Sequence, residues 1–435
     1  MVSPQKAWDM INRYLVPGGY DLILDIKKSK GLKLHDLKKD RMFLDFFGFF
    51  ASSPLGMNHP KLFDKEFLEK LKYASLNKVT NSDIYTIEMA EFIDETLKIA
   101  PEWTEHLFFI DGGALAVENA LKVAFDYKVR KNFAKGHKDE VGSKIIHLKE
   151  SFHGRSGYTL SLTNTFDPRK TEYYPKFDWP RVTNPKIIFP LEENIKTVEE
   201  SEKQSLSEIR GAINRHGDDI AAFIMEPIQA EGGDNYFRPE FFKAVRELTE
   251  KNDILFILDE VQSGMGITGK WWAYQHFGIE PDIIAFSKKM QAGGIMVSAK
   301  IDEEKDNVFH MESRINSTWG GNIADMVRAT KIIQIMWEDK LVDNSKKVGE
   351  YLLKRLKELE ADKPDFFSQA RGKGLMCAID IKDTATRDNY HKELFKNGLL
   401  ALKCGSKGIR FRPPLICTKE DVDGCIEILN KSVIR

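Results

Sequence analysis

Five short, largely apolar runs punctuate the first three hundred residues: HLFFI at 106–110, KIIHL at 144–148, IAAFIM at 220–225, DILFIL at 253–258 and PDIIAF at 281–286. Strands of this kind offer no polar face to water, so both of their faces must be covered. Longer stretches with apolar residues at helical spacing lie between them, among them ALAVENALKVAFDYKVRK and RPEFFKAVRELTEKN. The alternation predicts an α/β fold with a mostly parallel central sheet flanked by helices.

The flanking segments read differently. Residues 1–60 hold the strand-like pieces YDLILDI and GLKLHDL, as in an antiparallel flap. From residue 325 the stretch DMVRATKIIQIMWEDKLVDN reads as one long helix leading into VGEYLLKRLKELEA, with GLMCAIDI and GIRFRPPL as later strands. The expected organisation is an N-terminal segment (1–60) that contributes to the small domain and the cleft, a large domain (61–325) and a small C-terminal α+β domain (326–435).

Composition narrows the function classes. Lys and Arg total 65 against 66 for Asp and Glu, which leaves no general charge for nucleic acid. The chain has no uninterrupted run of about 18 apolar residues, and its start, MVSPQKAWDMINRY, carries no cleavage pattern, so a cytoplasmic protein off the membrane is expected. Cys377, Cys404, Cys417 and Cys425 form no C-x-x-C pair and no H-E-x-x-H occurs; neither a disulfide framework nor a metal site is expected.

Ligands of α/β sheets bind beyond the carboxyl ends of the strands, so the residues there are read as a set. After FFI, Gly112 and Gly113 either make a tight turn or expose helix-start N–H groups to a phosphate. After the run at 253–258, Asp259 and Glu260 need partners in a buried setting; a protonated ring nitrogen is one, a cap or ion pair another. After PDIIAF, Lys288 or Lys289 could form a Schiff base, or the pair could be a solvated chain end, with Gly293 and Gly294 read as a close-packed turn. After KIIHL, Phe152 could stack on a planar heterocycle, His153 could hydrogen-bond and Arg155 could clamp a carboxylate. Together these are the groups that pyridoxal phosphate chemistry needs.

Over nearly its whole length, from FLDFFGFFASSPLGMNHP through DEVQSGMGITGKWWAYQHFGIEPDIIAFSKK to IRFRPPL, the sequence resembles the class III, or omega, aminotransferases of the fold-type I pyridoxal 5'-phosphate enzymes. FASSPLGMNHP, GGALAVENALK, EPIQAEGGDN, the doubled lysine and INSTWGGN resemble the branch acting on the terminal amine of L-lysine. The resemblance implies that Lys288 carries the cofactor, that Asp259 faces its ring nitrogen, that Gln262 lies near its phenolic oxygen and that Phe152 stacks on its ring. It puts Gly113 and Ala114 in the phosphate cup, where Gly112-Gly113-Ala114 replaces the usual Ser-Gly-Thr. Thr318 matches a residue reaching the phosphate of a neighbouring subunit, which implies a homodimer with shared sites.

For the substrates, the resemblance implies transfer of the L-lysine ε-amino group to 2-oxoglutarate by a ping-pong mechanism, giving 2-aminoadipate 6-semialdehyde and L-glutamate. Arg410 would take the carboxylate beside the reacting carbon, Arg155 the distal one, and Glu231 would mask Arg410 while the amine donor is bound. Arg412 has the same chemistry as Arg410, and sequence leaves the choice between them open. Ornithine or 4-aminobutyrate as donor remains an alternative activity, and an inactive structural or regulatory dimer an alternative class. Lys289 is expected to face away from Lys288 and pack or pair at the rim, and the glycines of SGMGITG to turn the chain near the cofactor.

Overall fold

The computed structural model describes residues 2–16 and 18–433. Three strands open the chain, β1 (Leu24–Lys30), β2 (Lys33–Asp36) and β3 (Arg41–Asp45). Seven follow: β4 (Thr104–Ile110), β5 (Lys144–Leu148), β6 (Arg181–Val182), β7 (Ile220–Met225), β8 (Leu255–Asp259), β9 (Ile283–Phe286) and β10 (Gly293–Ser298). They form one sheet in the order β4-β10-β9-β8-β7-β5-β6. Only β10 runs against its neighbours; β9, β8, β7, β5 and β6 are parallel. The carboxyl ends of β4, β5, β7, β8 and β9 therefore lie along one edge.

Every residue of β7, β8 and β9 is buried, as strands without a polar face require. Successive side chains alternate between two cores. Phe223, Phe256, Leu258 and Ile284 enter the larger one, while Ala222, Leu255, Ile257 and Ile283 pack in the other with Val117, Leu121 and Ala124 of the helix Gly113–Ala134.

Two expectations fail here for local reasons. Gly293 and Gly294 are not a turn but the first residues of β10, and a Cβ on Gly294 would sit 2.5 Å from the Phe108 carbonyl oxygen. Glycine serves close strand approach at this point. The stretch from 325 to 344 is two helices, Ile323–Glu338 and Leu341–Asp362, because Lys340 between them takes φ 51°, which no right-handed helix continues.

The C-terminal strands β11 (Phe367–Lys373), β12 (Met376–Ile381), β13 (Leu399–Leu400), β14 (Leu402–Cys404) and β15 (Gly408–Phe411) split between two sheets. β11-β12-β15-β14 form one, whereas β13 joins β1-β2-β3 by pairing parallel with β3. The Arg412 amide donates to the Phe46 carbonyl at 2.7 Å, so the first strands and the last ones meet beside the central sheet. The glycines of SGMGITG lie in the run of turns that follows β8, with φ of 84° at Gly266 and 81° at Gly269, and they also allow close packing: Gly264 on Trp272, Gly266 on Met336, Val342 and Leu415, and Gly269 on Lys346. Among the described residues, no helix is long and apolar enough to cross a membrane.

Candidate active site

The residues beyond the strand ends touch one another. A Cβ on Gly113 would lie 2.6 Å from Val261 and 3.5 Å from Ser287, so the segment after β4 abuts both the turn after β8 and the residue before Lys288. A Cβ on Gly154 would lie 2.6 Å from the Ala114 side chain, which presses the Phe152-His153-Gly154 loop onto the same point. Glycine is required at 112 and 154 also by φ of 91° and 127°.

The helix Gly113–Ala134 begins at that junction with Gly112 as its N-cap, and no side chain caps it. Its first-turn N–H groups, with the helix dipole behind them, suit an anion. The substitution of small residues for hydroxyl-bearing ones thus leaves a cup of backbone donors.

At the end of β8, Asp259 is buried and both of its oxygens are engaged: Oδ1 accepts from the Val261 amide at 3.0 Å, and Oδ2 from His153 Nδ1 at 2.8 Å. An ionised carboxylate only accepts, so the proton of that bond lies on Nδ1. The buried Nε2 of His153 has no partner among the described residues. Glu226, just past β7, accepts from the Phe152 amide at 2.9 Å and the Ala230 amide at 3.1 Å, and burial pushes its carboxyl above the ordinary range. Glu260, the other half of the acidic pair, turns away from this group. It ties the amides of Ala273 and Tyr274 at 2.9 and 2.7 Å, and burial raises it to about 7.

Lys288 and Lys289 occupy a single 3-10 turn, Lys288–Met290, directly after β9. They are not successive residues of an extended strand. Burial, with the Arg410 guanidinium next, lowers the Lys288 amine to about 8 against the opposing pull of Asp259 and Glu226. Those neighbours place the amine among the site's charged groups. Lys289 is not at the rim: it is buried and donates to the Gln262 carbonyl at 2.8 Å, with its pKa driven far down by burial and then by Arg412. It acts as a tie between the turns after β8 and β9.

The two arginines of β15 and its extension are both buried and have different partners. Arg412 is fully committed, to Asp234 at 2.5 Å, to Gln262 Oε1 at 3.0 Å and to the Phe411 carbonyl at 2.9 Å. Arg410 reaches Gln262 Oε1 at 3.3 Å and pairs with one oxygen of Glu231, while its Nε has no partner among the described residues. The other Glu231 oxygen pairs with Lys170. Burial alone would raise the Glu231 carboxyl, but Arg410 and Lys170 hold it below its usual value. Gln262 is thus oriented through its carbonyl end by both guanidiniums.

Two sequence-chosen residues are exposed rather than buried with this group. Arg155 is exposed on the loop before the helix Gly157–Leu162, and Thr318 is exposed on a segment held by Ser82 Oγ donating to the Ser317 carbonyl at 3.1 Å. Glu226, Asp234 and Lys170 were not singled out in the sequence. Glu226 carries a readable signal, a carboxylate directly after an apolar run; Asp234 and Lys170 carry none.

Known proteins fit this arrangement. The profile of the family described as aminotransferase class-III matches residues 15–433. The chain is 46% identical over 433 residues to an L-lysine-epsilon aminotransferase of Mycobacterium tuberculosis, covering 99% of this chain and 96% of that one. Identity is likewise 46% over 426 residues to the protein of that name in Amycolatopsis lactamdurans, covering 97% and 94%. A solved lysine aminotransferase of M. tuberculosis, in its internal aldimine form, superposes with a TM-score of 0.97 at 45% identity, over 99% of each chain. The chain belongs to the class III aminotransferases.

Proposed function

We propose that this protein transfers the ε-amino group of L-lysine to 2-oxoglutarate, using pyridoxal 5'-phosphate, in two half-reactions of a ping-pong cycle. The observation that carries the reading is the Glu231 carboxylate covering the guanidinium of Arg410. An open guanidinium would pair with a carboxylate next to the reacting carbon and so select α-amino donors. Masked by Glu231, the cleft accepts instead a donor whose reacting end carries no carboxylate. The near-full-length relatives named for the same activity support it.

The residues fit the cofactor. The uncapped helix start at Gly113 and Ala114 would hold its phosphate, the half-buried Phe152 would face its ring, Asp259 would meet the ring nitrogen, Gln262 would lie near the phenolic oxygen and Lys288 would hold the aldehyde. When bound, the cofactor supplies an electron sink for charge developing beside the transferred nitrogen. His153 fixes the Asp259 carboxylate in place. Lys288, with its amine lowered to about 8, has a neutral fraction near neutrality and can take up a proton at Nζ from the substrate carbon. In the second half-reaction Glu231 leaves Arg410 to the carboxylate beside the keto group of 2-oxoglutarate, and Arg155 receives the distal one. The lysine product, 2-aminoadipate 6-semialdehyde, carries its amine and aldehyde on one chain and should cyclise.

The working form is a homodimer in which Thr318 of each subunit serves its neighbour's site. Ile84, Tyr85 and Ile87, exposed by 64, 78 and 73%, lie in the stretch that the Asn81 amide ties to the carbonyl of the exposed Trp319 at 3.3 Å. An apolar patch of this kind next to Thr318 is suited to burial by a second copy. All four cysteines are buried and unpaired, which fits a reducing cytoplasm.

The test is kcat/KM for L-lysine, L-ornithine, 4-aminobutyrate, β-alanine and N-acetyl-ornithine with 2-oxoglutarate. L-Lysine should lead. A lead for ornithine would keep the mechanism and overturn the donor, since one methylene is worth only about 1–3 kcal/mol.

A further inference from the structure

The Glu231 carboxylate is shared. One oxygen accepts from the Arg410 guanidinium and the other from the Lys170 ammonium, so two cations hold one anion from opposite oxygens. The two cations differ in surroundings. Arg410 is 1% exposed on β15, whereas Lys170 ends the short turn Pro168–Lys170 and its side chain is 22% exposed. Its ammonium also lies 5.9 Å from the centre of the Phe152 ring, which keeps it over the cleft.

Unmasking Arg410 requires Glu231 to give up one of its partners in a largely buried setting. A carboxylate that lost its only cation there would bear a large desolvation cost. Lys170 removes that difficulty, because the oxygen that Arg410 does not use is already paired, on the solvent side. We infer that Lys170 is the second seat of the Glu231 gate, a positioning residue that keeps the carboxylate partnered when a dicarboxylate takes Arg410. The inference rests on the gate reading above. It implies that Lys170 assists the acceptor without touching it: with Lys170 gone, Glu231 would depend wholly on Arg410, and an incoming dicarboxylate would have to displace an undivided ion pair.

The test is calorimetric binding of glutarate, a dicarboxylate that cannot react, to the holoenzyme as wild type, Lys170→Met, Lys170→Arg, Glu231→Gln and the double variant Glu231→Gln/Lys170→Met. Lys170→Met should weaken glutarate by about tenfold, as loss of a charged hydrogen bond allows, and Lys170→Arg should restore most of it. Glu231→Gln should tighten binding, and Lys170→Met should add no further loss in that background. Equal binding by wild type and Lys170→Met would overturn the inference. An equal loss in both backgrounds would overturn it as well, by making Lys170 a direct ligand or its loss a general defect of the cleft. No glutarate binding by Glu231→Gln, whose Arg410 is unmasked, would overturn the gate reading itself together with its second seat.

Discussion

Arg412 and Asp234 pair at 2.5 Å, and neither side chain has any exposed surface. Two residues away, Arg410 pairs with Glu231, whose side chain is 24% exposed and shared with Lys170. The sequence offered two equivalent arginines; their partners make one a strut and leave the other free to exchange anions. Arg412→Met should therefore lose about 3–5 kcal/mol of stability, because it leaves Asp234 as an uncompensated buried charge. Arg410→Met should fold, since Glu231 keeps Lys170, and should lose affinity for 2-oxoglutarate. Urea unfolding alongside acceptor binding separates the two; equal destabilisation by both variants would contradict the division of roles.

The adjacent lysines should separate in the same way. Lys288→Ala should abolish turnover and leave no lysine to be trapped by borohydride reduction of the holoenzyme. Lys289→Ala should keep the trapped adduct on Lys288 but lose about 1–3 kcal/mol, because the buried Gln262 carbonyl loses its 2.8 Å donor. Peptide mapping of the reduced protein decides it. An adduct on Lys289 would reverse the assignment.

How much of this was readable follows from burial. β7, β8 and β9 were legible because strands covered on both faces must be apolar throughout. β10 was not, because its opening glycines carry the signal of a turn while serving a close approach to β4. The helix break at Lys340 was hidden because lysine is an ordinary helix residue and only the tertiary path imposes its left-handed φ. In the site, Asp259 and Lys288 stand out by chemistry at strand ends, and the family resemblance supplied their roles. Lys170 lies 61 residues from Glu231 in the charged stretch FDPRKTEYY, which reads as solvated loop. Lys289 packs in the interior and not at the rim, because the chain enters a 3-10 turn directly after β9 and its ammonium reaches the buried Gln262 carbonyl, a contact that a lysine pair in sequence does not reveal.

His153 should matter through Asp259. His153→Leu removes the 2.8 Å donor to Oδ2, and cofactor affinity should fall by about 10–100-fold, the equivalent of a charge-assisted hydrogen bond of about 1.5–3 kcal/mol. His153→Gln, which keeps an N–H donor, should recover part of it. Equilibrium dialysis with pyridoxal phosphate gives the numbers; unchanged retention in His153→Leu would show that Asp259 needs no such support.

The rate of the donor half-reaction should rise with pH and level off above about 8. Lys288 can accept a proton only when neutral, and its neutral fraction grows as pH passes the lowered pKa of about 8 and falls tenfold per pH unit below it. Arg410 helps to lower that pKa, so Arg410→Met should move the rise to higher pH. Stopped-flow rates across pH 6–10 read both, and a flat profile would remove Lys288 as the base.

The central claim is that the distal nitrogen of L-lysine, and not the α-nitrogen, is transferred while Glu231 covers Arg410. The most direct measurement is the fate of isotope in a single reaction: L-lysine carrying 15N only at Nε, incubated with the enzyme and unlabelled 2-oxoglutarate, with the glutamate analysed by mass spectrometry. The account predicts that the glutamate formed carries 15N and that the label is absent when only the α-nitrogen of lysine is labelled. Unlabelled glutamate from ε-labelled lysine, with label arriving from the α-position instead, would contradict it.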